Sequence, residues 1–375
     1  MSRSNLAVIG GQSMFCRDRS SAAFVAFAFT LVLVGLSWNS RSAFALDVVY
    51  RKSTSSPAQG ELSEATKTQV TLKRKIGEPE VIPVNDIIDI RFDGEPPKLN
   101  LARNAAQAGR YDVALETYNA VLTDIPANAE VLRTDVAFLI ARANAKIAQG
   151  DPSKIDAAIK GLESFRSAHA GSFRDFEALH LLGDLYLQKE DFANAQAMFT
   201  LFGQAPWPEY QVAAQSANAD ILLRQGNIDG ALSAYEAAIS APAKSPAEQA
   251  QRYNAMLGKA NCLIRKQQLE PALTVTQTVI DEAPVTDPAV LATAYLRQGD
   301  CLQQLGRTYE ALIAYLHVDV LFSHEKALHA ESLYHLTQLW GAVGKPDRAA
   351  DSRAMLESDY PNSPWAKKLT AGTSG

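Results

Sequence analysis

The sequence predicts a mostly α-helical protein: an α-solenoid of about seven helical pairs, preceded by a small all-β module and an N-terminal signal sequence. Two observations carry the helical part. The stretch Ala178–Phe202 shows the periodicity of two short amphipathic helices joined by a polar turn. Ala195, a small residue of the second helix, recurs along the chain at steps of 36 to 44 residues. Because one helical pair cannot bury its apolar side alone, the copies must stack into an array.

The repeated unit is defined by one column of small residues in the second helix of each pair. The members of this column are Ala114, Ala158, Ala195, Ala231, Ala272, Ala311 and Ala349. Glycine, which adopts a left-handed conformation at little cost, stands five residues earlier at Gly109, Gly226, Gly306 and Gly344. A large side chain follows four residues after the column at Tyr118, Leu162, Phe199, Tyr235 and Tyr315. A helix-ending proline follows eleven or twelve residues after it at Pro126, Pro206, Pro242, Pro284 and Pro361.

These positions resemble the tetratricopeptide (TPR) repeat from about Leu99 to the C-terminus. One unit matches at Gly183, Tyr186, Ala195 and Phe199, and another at Tyr295, Gly299, Leu302, Ala311 and Tyr315. The resemblance implies a right-handed solenoid over residues 98–369, with a concave groove that binds another protein. Most steps exceed the usual period of about 34 residues, and Thr276 and Arg353 replace the aromatic residue. The second unit, residues 128–170, is the least regular.

The N-terminal residues 1–45 are predicted to be a signal peptide. A weakly basic start precedes an uncharged apolar run, residues 21–38, and Ala43 and Ala45 supply the small residues that a signal peptidase requires. Met14 is an alternative start. The apolar run approaches the length of the shortest membrane helices, so an uncleaved membrane anchor at residues 21–38 is the alternative. The expected location is the periplasm or cell envelope, with membrane contact only if the segment stays uncleaved.

The charge of the chain argues against nucleic acid as a partner. The formal net charge is −5, and residues 1–45 carry +3, so the chain without them would have −8. No basic block interrupts this mildly acidic composition.

Residues 46–97 predict a small β module. Short β-branched runs alternate with Gly60, Gly77 and Pro83, which indicates four or five strands in a meander. The order of these runs loosely resembles a small Sm-like or SH3-like barrel. Lys73-Arg74-Lys75 is interpreted as the exposed end of a hairpin. At the other end of the chain, Trp365 is expected to cap the solenoid, and residues 370–375 are expected to be a disordered tail.

The sequence contains no recognisable catalytic constellation, so we expect no enzyme, no cofactor and no metal site. His324 and His329 resemble the H-E-x-x-H zinc motif with one residue too many. Five helical positions rotate a side chain by about 140°, whereas the motif needs two histidines on one face. Cys262 and Cys301 occupy equivalent sites in adjacent repeats, where the helix axes are expected to stand too far apart for a disulfide. We therefore expect two buried thiols.

The groove positions of the family can be carried over by register. They give Glu177, His180, Asp184, Asp220, Arg224, Asn261, Arg265, Asp300, Gln303, Tyr334 and Gln338. This mixture of acids, bases and amides suits hydrogen bonds to a peptide or a helix. Because the set contains no lysine, the family's specialisation for a peptide C-terminal carboxylate is not expected.

Three functions remain open at this point. The first is a non-catalytic protein–protein interaction scaffold or adaptor of the cell envelope, which binds a segment of an unidentified partner in the groove. The second is a peptidoglycan- or polysaccharide-associated assembly factor, whose β module touches the cell-wall polymer. The third, and least favoured, is a metal-dependent hydrolase that uses the His-rich repeat.

Overall fold

Residues 46–371 are described by a computed structural model. The predicted signal peptide or anchor at residues 1–45 lies outside this range, as do residues 372–375. Within residues 46–371, no helix is long and apolar enough to cross a membrane.

The N-terminal module is a five-stranded antiparallel sheet. Its strands are β1 (Asp47–Arg51), β2 (Ala58–Ala65), β3 (Gln69–Lys73), β4 (Glu80–Pro83) and β5 (Ile87–Arg91), in the spatial order β4-β3-β2-β1-β5. Strands β1 to β4 form a meander, and β5 returns beside β1, pairing Ile90 with Val49. A 3-10 turn, Val84–Asp86, precedes β5. The number of strands agrees with the predicted four or five, and the loose Sm-like or SH3-like resemblance stays a prediction.

The sheet and the first helices share one hydrophobic core. The alternating inward residues Val49, Val70 and Ile90 belong to the same buried cluster as Leu99 and Leu139 of the helices. Alternation of this kind places one face of a strand on a core. Because the sheet buries this face against the helices, the sheet and the first helices form one packed unit.

Fifteen α-helices follow the sheet within the described range. They form seven consecutive pairs and a final helix: α1 (Pro97–Gln107) with α2 (Tyr111–Asp124), α3 (Glu130–Gly150) with α4 (Ile155–Ala168), α5 (Asp175–Gln188) with α6 (Phe192–Phe202), α7 (Pro208–Arg224) with α8 (Ile228–Ser240), α9 (Pro246–Arg265) with α10 (Leu269–Glu282), α11 (Pro288–Gln304) with α12 (Thr308–Leu321), α13 (Lys326–Ala342) with α14 (Pro346–Asp359), and α15 (Pro364–Ala371). The predicted array of about seven helical pairs behind a small β module is confirmed, whereas the signal sequence of that prediction lies outside the described residues.

The column of small residues explains the close approach of paired helices. Its first six members are buried, and only Ala349 in the last pair is partly exposed. The aromatic residue four positions later fills the space opposite a glycine of the first helix, so that a Cβ on Gly183 would overlap Phe199 and one on Gly299 would overlap Tyr315.

The turn between paired helices requires a left-handed residue. All four predicted glycines adopt positive φ, from 70° to 84°. At the equivalent positions two other turns hold non-glycine residues, with Glu190 at φ 62° and Gln267 at φ 59°. An L-residue in this region costs roughly 1–2 kcal/mol. These two turns are therefore strained relative to the glycine turns.

The second pair departs from the regular pattern, as the sequence predicts. Its first helix, α3, has 21 residues, and a 3-10 turn, Pro152–Lys154, separates it from α4. Asp151 caps this turn by accepting a hydrogen bond from the Ser153 backbone amide at 3.1 Å. The longer connection changes the register of α3 relative to the other first helices.

The C-terminal helix closes the exposed end of the array. The ring of Trp365 packs on that of Tyr334 with their centroids 5.2 Å apart, which confirms the predicted capping role. The helix continues through Thr370 and Ala371, so the first two residues of the predicted disordered tail are helical. The turn before this helix contacts the second pair, since Asn362 Nδ2 donates to Asp151 Oδ2 at 3.2 Å. The two ends of the array therefore approach each other.

Candidate functional site

Three of the predicted groove residues lie together on α5. Glu177, His180 and Asp184 are three and four residues apart and so share one helix face. His180 Nδ1 lies 3.3 Å from Asp184 Oδ2. Burial disfavours the charged imidazole, but the Asp184 carboxylate outweighs it and raises the pKa of His180 above its ordinary value.

Glu177 is the acidic centre of this face. Its two carboxylate oxygens lie 3.2 Å from Arg142 Nη1 and 3.3 Å from Arg174 Nη1. Burial favours the neutral acid, but the neighbouring Arg142, Arg174 and Lys52 outweigh it and lower the pKa of Glu177. Glu177 is therefore ionised at neutral pH and holds two helices, α3 and α5, together.

An open cavity of about 450 Å³ lies over this face, between the sheet and the helices. The sheet side contributes Lys52 and Ile88, and the helices contribute Arg142, Lys146, Glu177, His180 and Tyr210, among others. A second cavity of about 340 Å³ adjoins it and is lined by Arg103, Tyr111 and Tyr118. Ile88, Arg142, Lys146 and Glu177 line both cavities, so they form one continuous surface.

A buried charge network forms the floor below this surface. Asp135 is completely buried, and its Oδ1 accepts a hydrogen bond from Arg174 Nε at 2.8 Å. Arg103 Nη2 lies 3.6 Å from the other Asp135 oxygen, and Arg103 Nη1 lies 2.7 Å from Glu95 Oε1. Burial opposes the charge of Arg103, but its acidic neighbours raise its pKa. The network fixes α1, α3 and α5 around the cavity.

The middle of the predicted groove uses its polar residues for packing. The Asp220 carboxylate accepts a hydrogen bond from the Tyr235 hydroxyl, whose ring is buried. Burial raises the pKa of Asp220 to about 6. Arg265 Nη1 donates to the Leu223 carbonyl at 3.0 Å, and so satisfies the C-terminus of α7. Arg224 is exposed and Asn261 is half-buried.

The C-terminal part of the groove is a closed polar network. The Tyr315 hydroxyl donates to Asp300 Oδ1 at 2.8 Å, and its oxygen lies 3.2 Å from Gln303 Oε1. Arg297 Nη1 lies 2.8 Å from Asp300 Oδ2, and Arg297 Nη2 lies 2.5 Å from Glu331 Oε1. These contacts satisfy the polar groups of this network within the protein, so few hydrogen-bond donors or acceptors remain for a ligand.

The last two predicted groove residues differ from each other in exposure. Tyr334 is only 7% exposed because α15 covers it, whereas Gln338 is exposed. Lys368 Nζ also lies 4.8 Å from the centroid of the Tyr334 ring. Tyr334 therefore belongs to the packing of the C-terminal end rather than to an open surface.

The cysteines and histidines hold structural positions. Cys262 and Cys301 are buried free thiols, as predicted, and burial raises their pKa values to about 11 and about 12. His329 is buried between Tyr360 and Asp319, with each hydrogen bond 2.8 Å long, whereas His324 is exposed. The two imidazoles do not share one environment.

One cluster in the described range could offer three metal ligands. Atoms of Asp300, Glu331 and His335 lie within 4.8 Å of one another. Arg297 already pairs with both carboxylates, and its guanidinium would repel a cation. The cluster is therefore explained as an ion-pair network.

The sequence analysis missed several residues of the cavity surface. Lys52, Arg142, Lys146 and Tyr118 were not among the groove positions, and two of them are lysines. Lys52 comes from the β module, which register counting cannot reach. Arg142 and Lys146 lie in the irregular second pair, where their spacing of four residues was the only available signal.

Comparison with known proteins supports the repeat assignment. Two models described as tetratricopeptide repeat match residues 216–285 and 176–201. The chain contains TPR repeats. No curated protein matches the chain.

Solved structures with a similar arrangement include other TPR proteins. A TPR protein from Parabacteroides merdae has a TM-score of 0.47 and 18% identity, covering 74% of this chain and 98% of its own. A Rap protein complexed with Competence and Sporulation Factor has a TM-score of 0.48 and 16% identity, covering 72% and 77%. PilW, a type IV pilus biogenesis factor, has a TM-score of 0.41 and 14% identity, covering 63% and 98%. Similarity at this level assigns no ligand or partner to the TPR array.

Proposed function

We propose that this protein is a non-catalytic interaction scaffold that holds a segment of a partner protein against the N-terminal half of its concave surface. The observation that carries the proposal is the open cavity between β5, α3 and α5, which charged and aromatic side chains line. Repeats of the TPR family typically serve protein binding rather than catalysis. The C-terminal half offers less, since its polar groups already pair with each other.

The size of the cavity suits side chains of a peptide better than a whole domain. Small-molecule pockets commonly occupy about 300–1,000 Å³, and each of the two adjoining cavities lies near the lower end of that range. Ile88 and Tyr210 supply apolar area, while Arg142 and Lys146 supply donors. Such a surface can accommodate successive side chains of an extended segment.

Site-specific photo-crosslinking tests this proposal. A photoreactive residue at Gln251, which lines the cavity, is compared with one at Gln196, which is exposed on α6. We expect a discrete protein adduct from position 251 and none from position 196, as read by mass spectrometry. Equal capture from both positions, or capture from position 196 alone, would contradict a concave binding surface.

The cellular location is part of the proposal. The support is the signal-like sequence of residues 1–45, which predicts export to the periplasm or cell envelope. N-terminal sequencing of the protein from cells tests it, and Leu46 as the first residue would be the expected result. An intact N-terminus in the membrane fraction would instead support the anchor at residues 21–38.

The two alternative functions have less structural support. A wall-binding β module would have to use the outer face of the sheet, since the inner face is buried on α1 and α3. A metal-dependent hydrolase would need converging ligands, but His329 is hydrogen-bonded to Tyr360 and Asp319. Neither arrangement favours a second candidate over the scaffold.

A further inference from the structure

Three tyrosines at the same repeat position differ in the hydrogen-bond partners of their hydroxyl groups. Tyr235 and Tyr315 each donate to an aspartate that stands fifteen residues earlier, Asp220 and Asp300. In the first pair, the residue fifteen positions before Tyr118 is Arg103. Arginine has no acceptor atom.

The hydroxyl of Tyr118 is therefore left without a partner. The side chain is only 1% exposed, and its hydroxyl oxygen is buried with no hydrogen bond. A buried polar group without a partner destabilises the folded protein and calls for an explanation. Tyr118 lines the smaller of the two adjoining cavities, so an acceptor placed there by a ligand could satisfy it.

Two positively charged side chains around this cavity also lack a carboxylate partner among residues 46–371. Arg142 contacts Glu177, which Arg174 already shares. Lys146 Nζ donates to the neutral Gln149 Oε1 at 3.2 Å. Among residues 46–371, neither Lys146 nor Lys52 has a carboxylate within ion-pair distance. Two carboxylates line the adjoining cavities, Glu177 and Asp89, and Asp89 already pairs with Arg91 and Arg103. Of Lys52, Arg142 and Lys146, Arg142 alone thus pairs with a carboxylate of residues 46–371, Glu177, in a protein whose net charge is −5.

The position of Lys146 makes it the centre of this surface. It lines both adjoining cavities and also a third, of about 410 Å³, that extends to Trp365 at the C-terminal end. The third cavity is lined by several acids, including Asp112, Glu325 and Asp359. Positive charge is therefore concentrated between β5, α3 and α5, and an anionic group is attracted to that part of the concave surface.

We propose that the scaffold binds an acidic segment of its partner, with Asp or Glu side chains placed between β5, α3 and α5. One carboxylate accepts the hydrogen bond that Tyr118 offers, and Arg142 and Lys146 supply the charge-assisted donors. We assign an acidic peptide as the ligand class because the continuous cavity surface extends beyond Arg142 and Lys146 on both sides. A chain of several residues can follow such a surface. This inference rests on the proposed function, since it names the chemistry of the segment that the scaffold holds.

Fluorescence anisotropy with the full chain and a labelled, C-terminally amidated oligoglutamate peptide tests the proposal. We expect saturable binding that Lys146→Glu weakens by about tenfold or more, since a reversed charge repels the ligand. The matched control is Lys160→Glu, which makes the same change at an exposed position of α4 and should leave the affinity unchanged. Urea unfolding of each variant establishes that it is folded.

Tyr118→Phe provides a second, smaller change. Removing only the hydroxyl should weaken the binding of the peptide by about threefold to tenfold, because the net contribution of one hydrogen bond is lost. Equal loss of affinity in Lys146→Glu and Lys160→Glu would overturn the proposal, because it would show non-specific attraction. Binding only by a peptide with a free C-terminus would also overturn it, in favour of a terminal carboxylate. If oligoglutamate does not bind but position 251 still captures a protein, the acidic-segment inference fails and the scaffold stands.

Discussion

The two halves of the helical array are both built from helical pairs but use their polar side chains differently. In the C-terminal half, Tyr315, Asp300 and Arg297 pair with each other and with their neighbours. In the N-terminal half, Tyr118 lacks an acceptor and Lys146 lacks a carboxylate partner among the described residues. The repeat fixes where an aromatic ring packs, but the residue fifteen positions earlier decides whether its hydroxyl is satisfied within the fold.

This difference shows why a groove position is not automatically a binding position. Asp220 and Asp300 match the family's groove register, yet both serve to satisfy a buried tyrosine. Glu177 and His180 also match it, and they do line an open cavity. Exposure and hydrogen-bond partners separate the two groups, whereas sequence register does not.

The largest expected effect concerns the floor of the N-terminal half. Asp135→Ala leaves Arg174 and Arg103 without their buried partner. Removing one member of a buried ion pair typically costs about 3–5 kcal/mol, so the free energy of unfolding in urea should fall by that amount. The control is Asp156→Ala, which removes the partner of exposed Lys189 and should leave the free energy of unfolding nearly unchanged. Similar losses in both variants would show that the floor is not a stabilising network.

The comparison of tyrosines predicts an intermediate effect. Asp220→Ala leaves the Tyr235 hydroxyl buried and unpaired, which should cost about 1–3 kcal/mol. The double change with Tyr235→Phe should recover part of that loss, since both partners are then gone. By contrast, Tyr118→Phe removes a buried hydroxyl without a partner, so it should leave the free energy of unfolding unchanged or raise it in the absence of ligand. A large loss in Tyr118→Phe would reveal a partner for its hydroxyl and erase the distinction between the halves.

The strained turns predict a smaller gain. Glu190→Gly relieves a positive φ but increases the entropy of the unfolded chain, so the net stabilisation should be up to about 1 kcal/mol. Gln267→Gly should behave alike in the C-terminal half. Gly226→Ala makes the reverse change at φ 84° and should destabilise. Thermal unfolding of the three variants measures these shifts, and a loss of stability in Glu190→Gly would contradict the assigned turn.

The smallest effect concerns pH. The folded-state pKa of His180 is raised by Asp184, with Lys146 and Glu177 as its other charged neighbours. Protonated His180 therefore contributes stability below its unfolded pKa of about 6.5, and the contribution is lost as pH rises through the folded pKa. Because the pair is half-exposed, we expect only about 0.3 kcal/mol. Urea unfolding at pH 6 and pH 8 measures this difference in stability, which should disappear in His180→Gln. An unchanged pH dependence in that variant would assign the difference to another group.

The fold could be predicted because its determinants are local and periodic. Ala195, Gly183 and Phe199 lie within seventeen residues, and their pattern recurs in later pairs, so one unit is enough to predict the array. The strands themselves were accessible for the same reason, since alternation and turn residues are local signals. The return of β5 beside β1 was not part of the predicted meander. Glu190 and Gln267 were not predicted to be left-handed, because glycine is the residue that indicates that conformation in a sequence.

The cavity surface was harder to predict because it depends on register and on contacts distant in sequence. Counting back eleven and fifteen residues from Ala158, as in the third pair, reaches Ile147 and Ala143 and passes over Arg142 and Lys146. The 3-10 turn before α4 shifts the count. Lys52 reaches the surface only because the sheet packs on α1 and α3.

Hydrogen–deuterium exchange of the full chain, with and without the amidated oligoglutamate peptide, tests the central claim most directly. The account predicts slower exchange of backbone amides in α3 and α5 at saturating peptide, since ligand binding opposes local opening. The amides of α11 and α13 should exchange at unchanged rates. Protection confined to α11 and α13, or equal protection throughout the array, would contradict the claim that the N-terminal half of the concave surface binds the partner.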